Sequence, residues 1–209
     1  MPREAFFRLG QDKQAEISAA ATAEFVEHGL KSASTNRIVK TAGISKGSLF
    51  YYFDGKEDLF AHAVDLAAGK LVERLEAGAQ EWPREILARL RHITLIGLDM
   101  LIEEPQAYYL LSSMLDPEAA AIRERYMREQ VDESLAVFFR WMEDIETENL
   151  RMPVGDVLQL VAWVYTGLKI ELIYSRPPGK ENLIEFKQQF LERLDKALGA
   201  LGRAIYRED

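Results

Sequence analysis

Cysteine is absent from the 209 residues, histidine occurs three times and proline seven. The first absence excludes a disulfide framework, thiolate chemistry and cysteine-ligated zinc or iron–sulfur sites. His28, His62 and His92 are too dispersed for a local metal motif, and neither a metal nor a cofactor is expected. No segment approaches the roughly 18 consecutive apolar residues that span a bilayer. The longest apolar stretch, around Val157 to Leu168, is interrupted by Gln159. Met1-Pro2-Arg3-Glu4 leads into a polar, amphipathic segment without the apolar core of a signal peptide. An untargeted cytoplasmic protein that crosses no membrane is therefore expected. With 48% apolar residues, the chain has enough hydrophobic content to fold.

Positive charge is also scarce, with 26 Lys+Arg against 34 Asp+Glu and a formal net charge of −8. Phosphate binding needs local positive charge, so the total at first speaks against nucleic acid. The average conceals a division. Residues 1–60 are neutral overall, and within 31–56 Lys31, Arg37, Lys40, Lys46 and Lys56 face Asp54 alone, a local +4. All of the net negative charge lies downstream.

Strand alternation is missing as well, and helical periodicity fills most of the chain. Ile17, Ala20, Ala21, Glu24, Phe25 and His28 follow three/four spacing, predicting a helix over about 12–28 that stops at Gly29. Ser34 or Thr35 can cap a short helix from Asn36 to Ala42, closed by Gly43, and Ser45 can cap another from Lys46 to Phe53. Two short helices joined by so tight a Gly-containing turn predict a helix-turn-helix. A longer helix follows from Lys56 to about Ala77, and Trp82-Pro83, Glu104-Pro105, Asp116-Pro117 and Pro153 mark later boundaries. Asp116 reads as an N-cap with proline in the first turn. The expected architecture is all-α, with about nine helices.

The segment from Thr35 to Leu59 reads TNRIVKTAGISKGSLFYYFDGKEDL. Ile38, Val39, Ala42, Ile44, Leu49 and Phe53 can form the small core that fixes the two helices, leaving Lys46, Gly47, Ser48, Tyr51 and Tyr52 outside. A rigid helix of this kind enters the major groove, where side chains distinguish base edges. Gly47 permits close backbone approach, Ser48 offers a hydroxyl and Lys46 a charge. The segment resembles the DNA-binding domain of the tetracycline-repressor (TetR) family, which joins a Thr-initiated helix, an Ala-Gly-Ile/Val turn, a short helix ending in aromatics and a Lys-Glu-x-Leu. The resemblance covers about the first sixty residues. It implies that Tyr51 contacts bases and Tyr52 phosphate, that Thr35 and Lys56 contact phosphate, and that Asn36 reaches a base. Phe50 stands where the family often has tyrosine, and packing is at least as suitable a role for it.

Gly43-Ile44-Ser45-Lys46-Gly47 also fits G-x-S-x-G, the nucleophile elbow of α/β hydrolases. That elbow joins a strand to a helix, whereas here a helix precedes it and no parallel-sheet pattern follows. Ser45 is therefore expected to be a helix cap, and the chain no enzyme.

Two later segments are strongly apolar. Between Val157 and Tyr174 apolar residues cover most of the helix circumference, which requires burial on more than one side. Leu183, Phe186, Phe190, Leu194, Leu198, Leu201 and Ile205 form an extended stripe that packs either within the subunit or against a symmetry mate. The resemblance implies a domain at 1–55 that binds double-stranded operator DNA and a helical domain at 56–209 for effector binding and dimerisation. It places a homodimer interface on Val161, Tyr165, Leu168, Phe190, Leu194, Leu198 and Leu201. Met100, Tyr108, Phe138, Trp141, Trp163 and Tyr165 supply aromatic and sulfur surface for a small apolar or aromatic effector. The expected function is a ligand-responsive, homodimeric repressor; the competing expectation is a helical adaptor without sequence-specific DNA binding.

Overall fold

A computed structural model describes residues 2–78, 82–129, 144–174 and 182–207, with only the backbone course of 126–129, 169 and 171–174. Among the described residues there are ten α-helices and no strand. They are α1 (Glu4–Phe7), α2 (Gln11–Ser32), α3 (Thr35–Thr41), α4 (Lys46–Tyr52), α5 (Lys56–Ala77), α6 (Ile86–Glu103), α7 (Pro105–Ser113), α8 (Ala120–Glu129), α9 (Val154–Tyr174) and α10 (Leu183–Ile205). None is long and apolar enough to cross a membrane. The short α1 has no counterpart in the sequence reading, because four residues are too few to show a period.

The chain divides into two compact units, one of residues 1–73 with 104–138 and one of 74–103 with 139–209. In the first, Phe6, Ile17, Phe25, Ile38, Leu49, Phe53, Leu59 and Phe60 are almost wholly buried. Their rings meet edge-on or tilted, Phe6 to Phe53 at 5.0 Å and Phe25 to Phe60 at 5.1 Å between centroids. Burying a side chain of this size contributes roughly 1.5–3 kcal/mol, so these aromatics supply much of the stability of a set of short helices. Packing of α7 along α2 extends the unit beyond the helix-turn-helix.

Local signals set the helix ends. At Gly29, φ is +69° and interrupts the helical path of α2 before one last turn. Gly43, with φ +61°, turns the chain out of α3 into the left-handed region that disfavours any residue with a Cβ. Ser34 rather than Thr35 is the cap of α3, accepting from the Arg37 N–H. Ser45 caps α4 by accepting from the Ser48 N–H at 2.9 Å. Pro105 opens α7 as expected. Asp116 departs from expectation: it precedes a 3-10 turn, Pro117–Ala119, and its carboxylate makes no capping bond.

In the second unit α10 packs on α6 and α9. It buries Leu183, Phe190, Leu194, Leu198 and Ile205 on one face. Two ion pairs fix it to α6, Arg91–Asp195 at 2.6 Å and Lys187–Asp99. Glu85 caps α6 through the N–H groups of Leu87 and Ala88 and accepts from the Tyr206 hydroxyl. Burial, reinforced by that hydrogen bond, pushes the Tyr206 phenol well above its ordinary range. Of the two ways to cover the α10 stripe, packing within the subunit is the one observed.

Candidate nucleic-acid interface

The helix-turn-helix presents one outward surface, made by α4 and the start of α3. Tyr51 is 62% exposed and Phe50 40%. Lys46, Gly47 and Asn36 are exposed, while Thr35, Ser48 and Tyr52 are half-buried. A Cβ added to Gly47 would meet only the Ser45 Oγ, at an ordinary 3.7 Å. Among the described residues nothing in the packing requires glycine there, and its backbone is exposed. Ser48 shares a 2.8 Å hydroxyl contact with Ser45, which orients both at the head of α4. Ser45 is thus a helix cap.

Three cations hold the carbonyl ends of α2, α3 and α4. The Arg3 Nη1 donates to the Phe50 carbonyl at 3.2 Å, and the Arg3 backbone N–H to the Tyr52 carbonyl at 2.8 Å. The Lys13 Nζ donates to the Ala42 carbonyl at the end of α3 at 2.9 Å. The Lys56 Nζ donates to the carbonyls of Lys31 and Ala33 at 2.9 and 3.3 Å, closing α2. Positive charge at a helix C-terminus satisfies free carbonyls and complements the dipole. Lys56 therefore has one of its three N–H groups left for a phosphate.

Arg37 is spoken for in the same way. Its Nε donates at 3.0 Å to both oxygens of Glu24, a buried carboxylate that also accepts from the Ser34 N–H at 2.7 Å. The Arg37 hydrogen bonds hold the Glu24 carboxyl below its usual range against the opposing effect of burial. Lys31 lies 3.9 Å from Glu118. Of the five cations behind the local +4, Lys40 and Lys46 are exposed and have no ion-pair partner among the described residues.

A sequence reading could not find Arg3, Lys13 or Glu24. Their partners lie 47 and 51, 29, and 10 and 13 residues away, and no spacing rule connects a lysine or arginine to a distant carbonyl. His62 has a comparable hidden role. It is buried against Phe6 at 5.0 Å and Phe53 at 5.6 Å, and its Nε2 lies 3.2 Å from the Ser18 Oγ. Burial lowers its pKa to about 4, so it is a neutral core residue at physiological pH.

Residues 17–63 match the family model for bacterial regulatory proteins of the tetR family. The match takes in the capped α3–turn–α4 and the start of α5. The helix-turn-helix segment is thus a TetR-family DNA-binding segment. Among characterised relatives, the fatty acid metabolism regulator protein of Bacillus subtilis is 25% identical over 143 residues, covering 66% of this chain and 69% of that one. The transcriptional regulator AcrR of Shigella flexneri is 27% identical over 101 residues, 48% of this chain and 47% of AcrR, so this chain spans about half of that relative. The fold likeness runs throughout: a TetR-family transcriptional regulator from Chloroflexus aurantiacus superposes with a TM-score of 0.62 at 22% identity, covering all of both chains. The protein is a transcription regulator with a TetR-family DNA-binding segment, all-α among the described residues.

The residues expected to serve effector and dimer fall in both compact units. Tyr108 belongs to the first compact unit, while Met100, Trp163 and Tyr165 belong to the second. Met100 is completely buried and Tyr165 half-buried, with burial raising the Tyr165 phenol. Phe138 and Trp141 lie outside the described residues. Trp163 instead stands 65% exposed. Val161, Phe190, Leu194 and Leu198 are buried within their own unit, with Leu168 and Leu201 half-buried.

Proposed function

We propose that the chain is a homodimeric, ligand-responsive repressor that reads a palindromic operator with α4 and releases it when a small apolar or aromatic effector binds. The observation that carries the DNA reading is a recognition helix capped by Ser45 and Arg3 that leaves Gly47 and Tyr51 facing out. In this reading Tyr51 reaches base edges or thymine methyls and Tyr52 a phosphate. Lys46, Ser48, Thr35 and the remaining Lys56 N–H supply further contacts, with Asn36 at a base edge. Residues 1–55 bind DNA, and 56–209 bind the effector and the second copy.

The dimer reading rests on a face of α9 that the described residues leave exposed. Gln159, Ala162, Trp163, Thr166, Gly167 and Ile170 recur at helical spacing and all are exposed. An uncovered tryptophan flanked by small residues suits close helix packing better than water. The expected interface therefore moves from Val161, Tyr165 and Leu168 to the neighbouring face of the same helix, while Phe190, Leu194, Leu198 and Leu201 support it from within. A two-fold dimer sets recognition helices roughly 34–36 Å apart, which matches successive major grooves and a palindromic site.

An apolar effector is supported by the buried Met100 and the half-buried Tyr165, and by kinship to a fatty acid metabolism regulator. Effector and operator then oppose each other, because each has a different affinity for the two body conformations. Duplexes selected by the protein from a random pool give the operator, and titrating fatty acyl and aromatic compounds against that complex tests release. A compound that binds the protein at saturation without weakening the operator complex refutes ligand-induced repression; a pool that yields no preferred sequence refutes the operator reading.

A further inference from the structure

The recognition helix is only seven residues long, and a helix of that length does not hold its shape alone. Its N-terminal end is fixed by Ser45 and the turn from α3. At the other end the Leu49 carbonyl is taken by the Phe53 N–H at 2.9 Å. Two more carbonyls depend on a single residue close to the start of the chain. Arg3 gives Nη1 to Phe50 and its backbone N–H to Tyr52, and its Nη2 pairs with the Asp54 carboxylate just beyond the helix. The Arg3 pairing is the main cause that holds the Asp54 carboxyl below its usual range.

Arg3 is itself held by α1. Three residues on, Phe6 is 1% exposed, with ring centroids 5.0 Å from Phe53 and His62 and 6.2 Å from Tyr52. Phe6 thus packs against Tyr52 and Phe53, while Arg3, its side chain half exposed, bonds the Phe50 and Tyr52 carbonyls.

We infer that Arg3 is a positioning residue for sequence recognition: it fixes the C-terminal turn of α4, and with it the angle at which Tyr51 and Tyr52 meet DNA. The inference rests on α4 being the reading element. Arg3 itself need not touch a phosphate, and the two roles differ measurably. A lost phosphate contact weakens all duplexes alike and reduces the salt dependence. A lost positioning contact weakens preferred sequences selectively and leaves that dependence alone.

The test compares wild type with R3Q, R3K, D54N and Y51A, each tagged at the C-terminus, against a duplex selected by the wild type and against random duplex over a range of salt. R3Q is expected to lower the preference for selected over random DNA by about fivefold, with the salt slope unchanged, as befits the loss of one charge-assisted clasp. R3K, which keeps a charge beside Asp54 but lacks the fork, falls between. D54N moves the same way by a smaller factor and decides the matter should R3Q fail to fold. Equal weakening on both duplexes with a reduced slope overturns the inference and makes Arg3 a phosphate contact. An unchanged preference in R3Q and D54N alongside its loss in Y51A overturns the clasp and leaves α4 as the reader. Should wild type prefer no sequence, the reading element itself is wrong and the inference falls with it.

Discussion

The salt dependence of operator binding is the quantity in which the division of the five central cations becomes visible. Each phosphate neutralised steepens the fall of log K with log salt by roughly 0.9. If Lys31, Arg37, Lys40, Lys46 and Lys56 all reached phosphates in both protomers, ten contacts would give a slope of about −9. The structure spends Arg37 on Glu24 and sets Lys31 near Glu118, leaving Lys40, Lys46 and the remaining N–H of Lys56. Three cations per protomer and six per dimer give a slope of about −5, or about a thousandfold loss of affinity between 50 and 200 mM salt. Fluorescence anisotropy on a selected duplex at several salt concentrations measures it directly. Lys46→Gln should flatten the slope by roughly 2 for the dimer, and Arg37→Gln should leave it unchanged while destabilising the fold. A wild-type slope near −9, or a flattening by Arg37→Gln, would show that the intramolecular pairs open on DNA and refute this assignment of charges.

Other consequences follow from the same geometry. Gly47→Ala meets only ordinary contact inside the chain, so stability should change by less than about 0.5 kcal/mol while operator affinity falls at least tenfold, checked by denaturant melts beside anisotropy. His62, whose pKa is lowered to about 4 against 6.5 when unfolded, binds its proton more tightly in the unfolded chain. Its contribution is whole above pH 6.5 and is lost as pH falls toward 4, amounting to about 2 kcal/mol by pH 5. Urea titrations of wild type and His62→Phe at pH 7.5 and 5 read that difference, which the variant should lack; equal pH dependence in both would contradict it. Trp163→Glu places a charge on the uncovered face of α9 and should turn a dimer into a folded monomer in sedimentation equilibrium. A variant that remains dimeric would remove that face from the interface.

What was legible in the sequence was local. Ser45, Gly43 and Gly29 reveal themselves because a cap and a positive φ are properties of one residue and its immediate neighbours. The helix-turn-helix could therefore be drawn nearly to its ends. Ser34 and Thr35 stood one residue apart with the same chemistry, and only the backbone bond from Arg37 decides between them. Asp116 failed as a cap because Pro117 starts a tighter turn than an α-helix. The clasps made by Arg3, Lys13 and Lys56 were illegible because a carbonyl has no sequence signature. The apolar positions of α9 and α10 were legible as such, but periodicity tells which face is apolar and not what covers it. That is why Leu194 reads equally as core or interface until the fold buries it, and why Trp163, on a helix apolar nearly all round, could be placed in a pocket when it faces out.

The central claim is that the exposed face of α4 reads sequence. An equilibrium titration of wild type and Tyr51→Ala against a selected palindrome and a scrambled duplex of equal length tests it most directly. The wild type is expected to prefer the palindrome by at least a thousandfold, as specific DNA binders do, and Tyr51→Ala to lose at least tenfold of that preference while its affinity for scrambled DNA stays the same. Equal losses on both duplexes, or none on either, would contradict it.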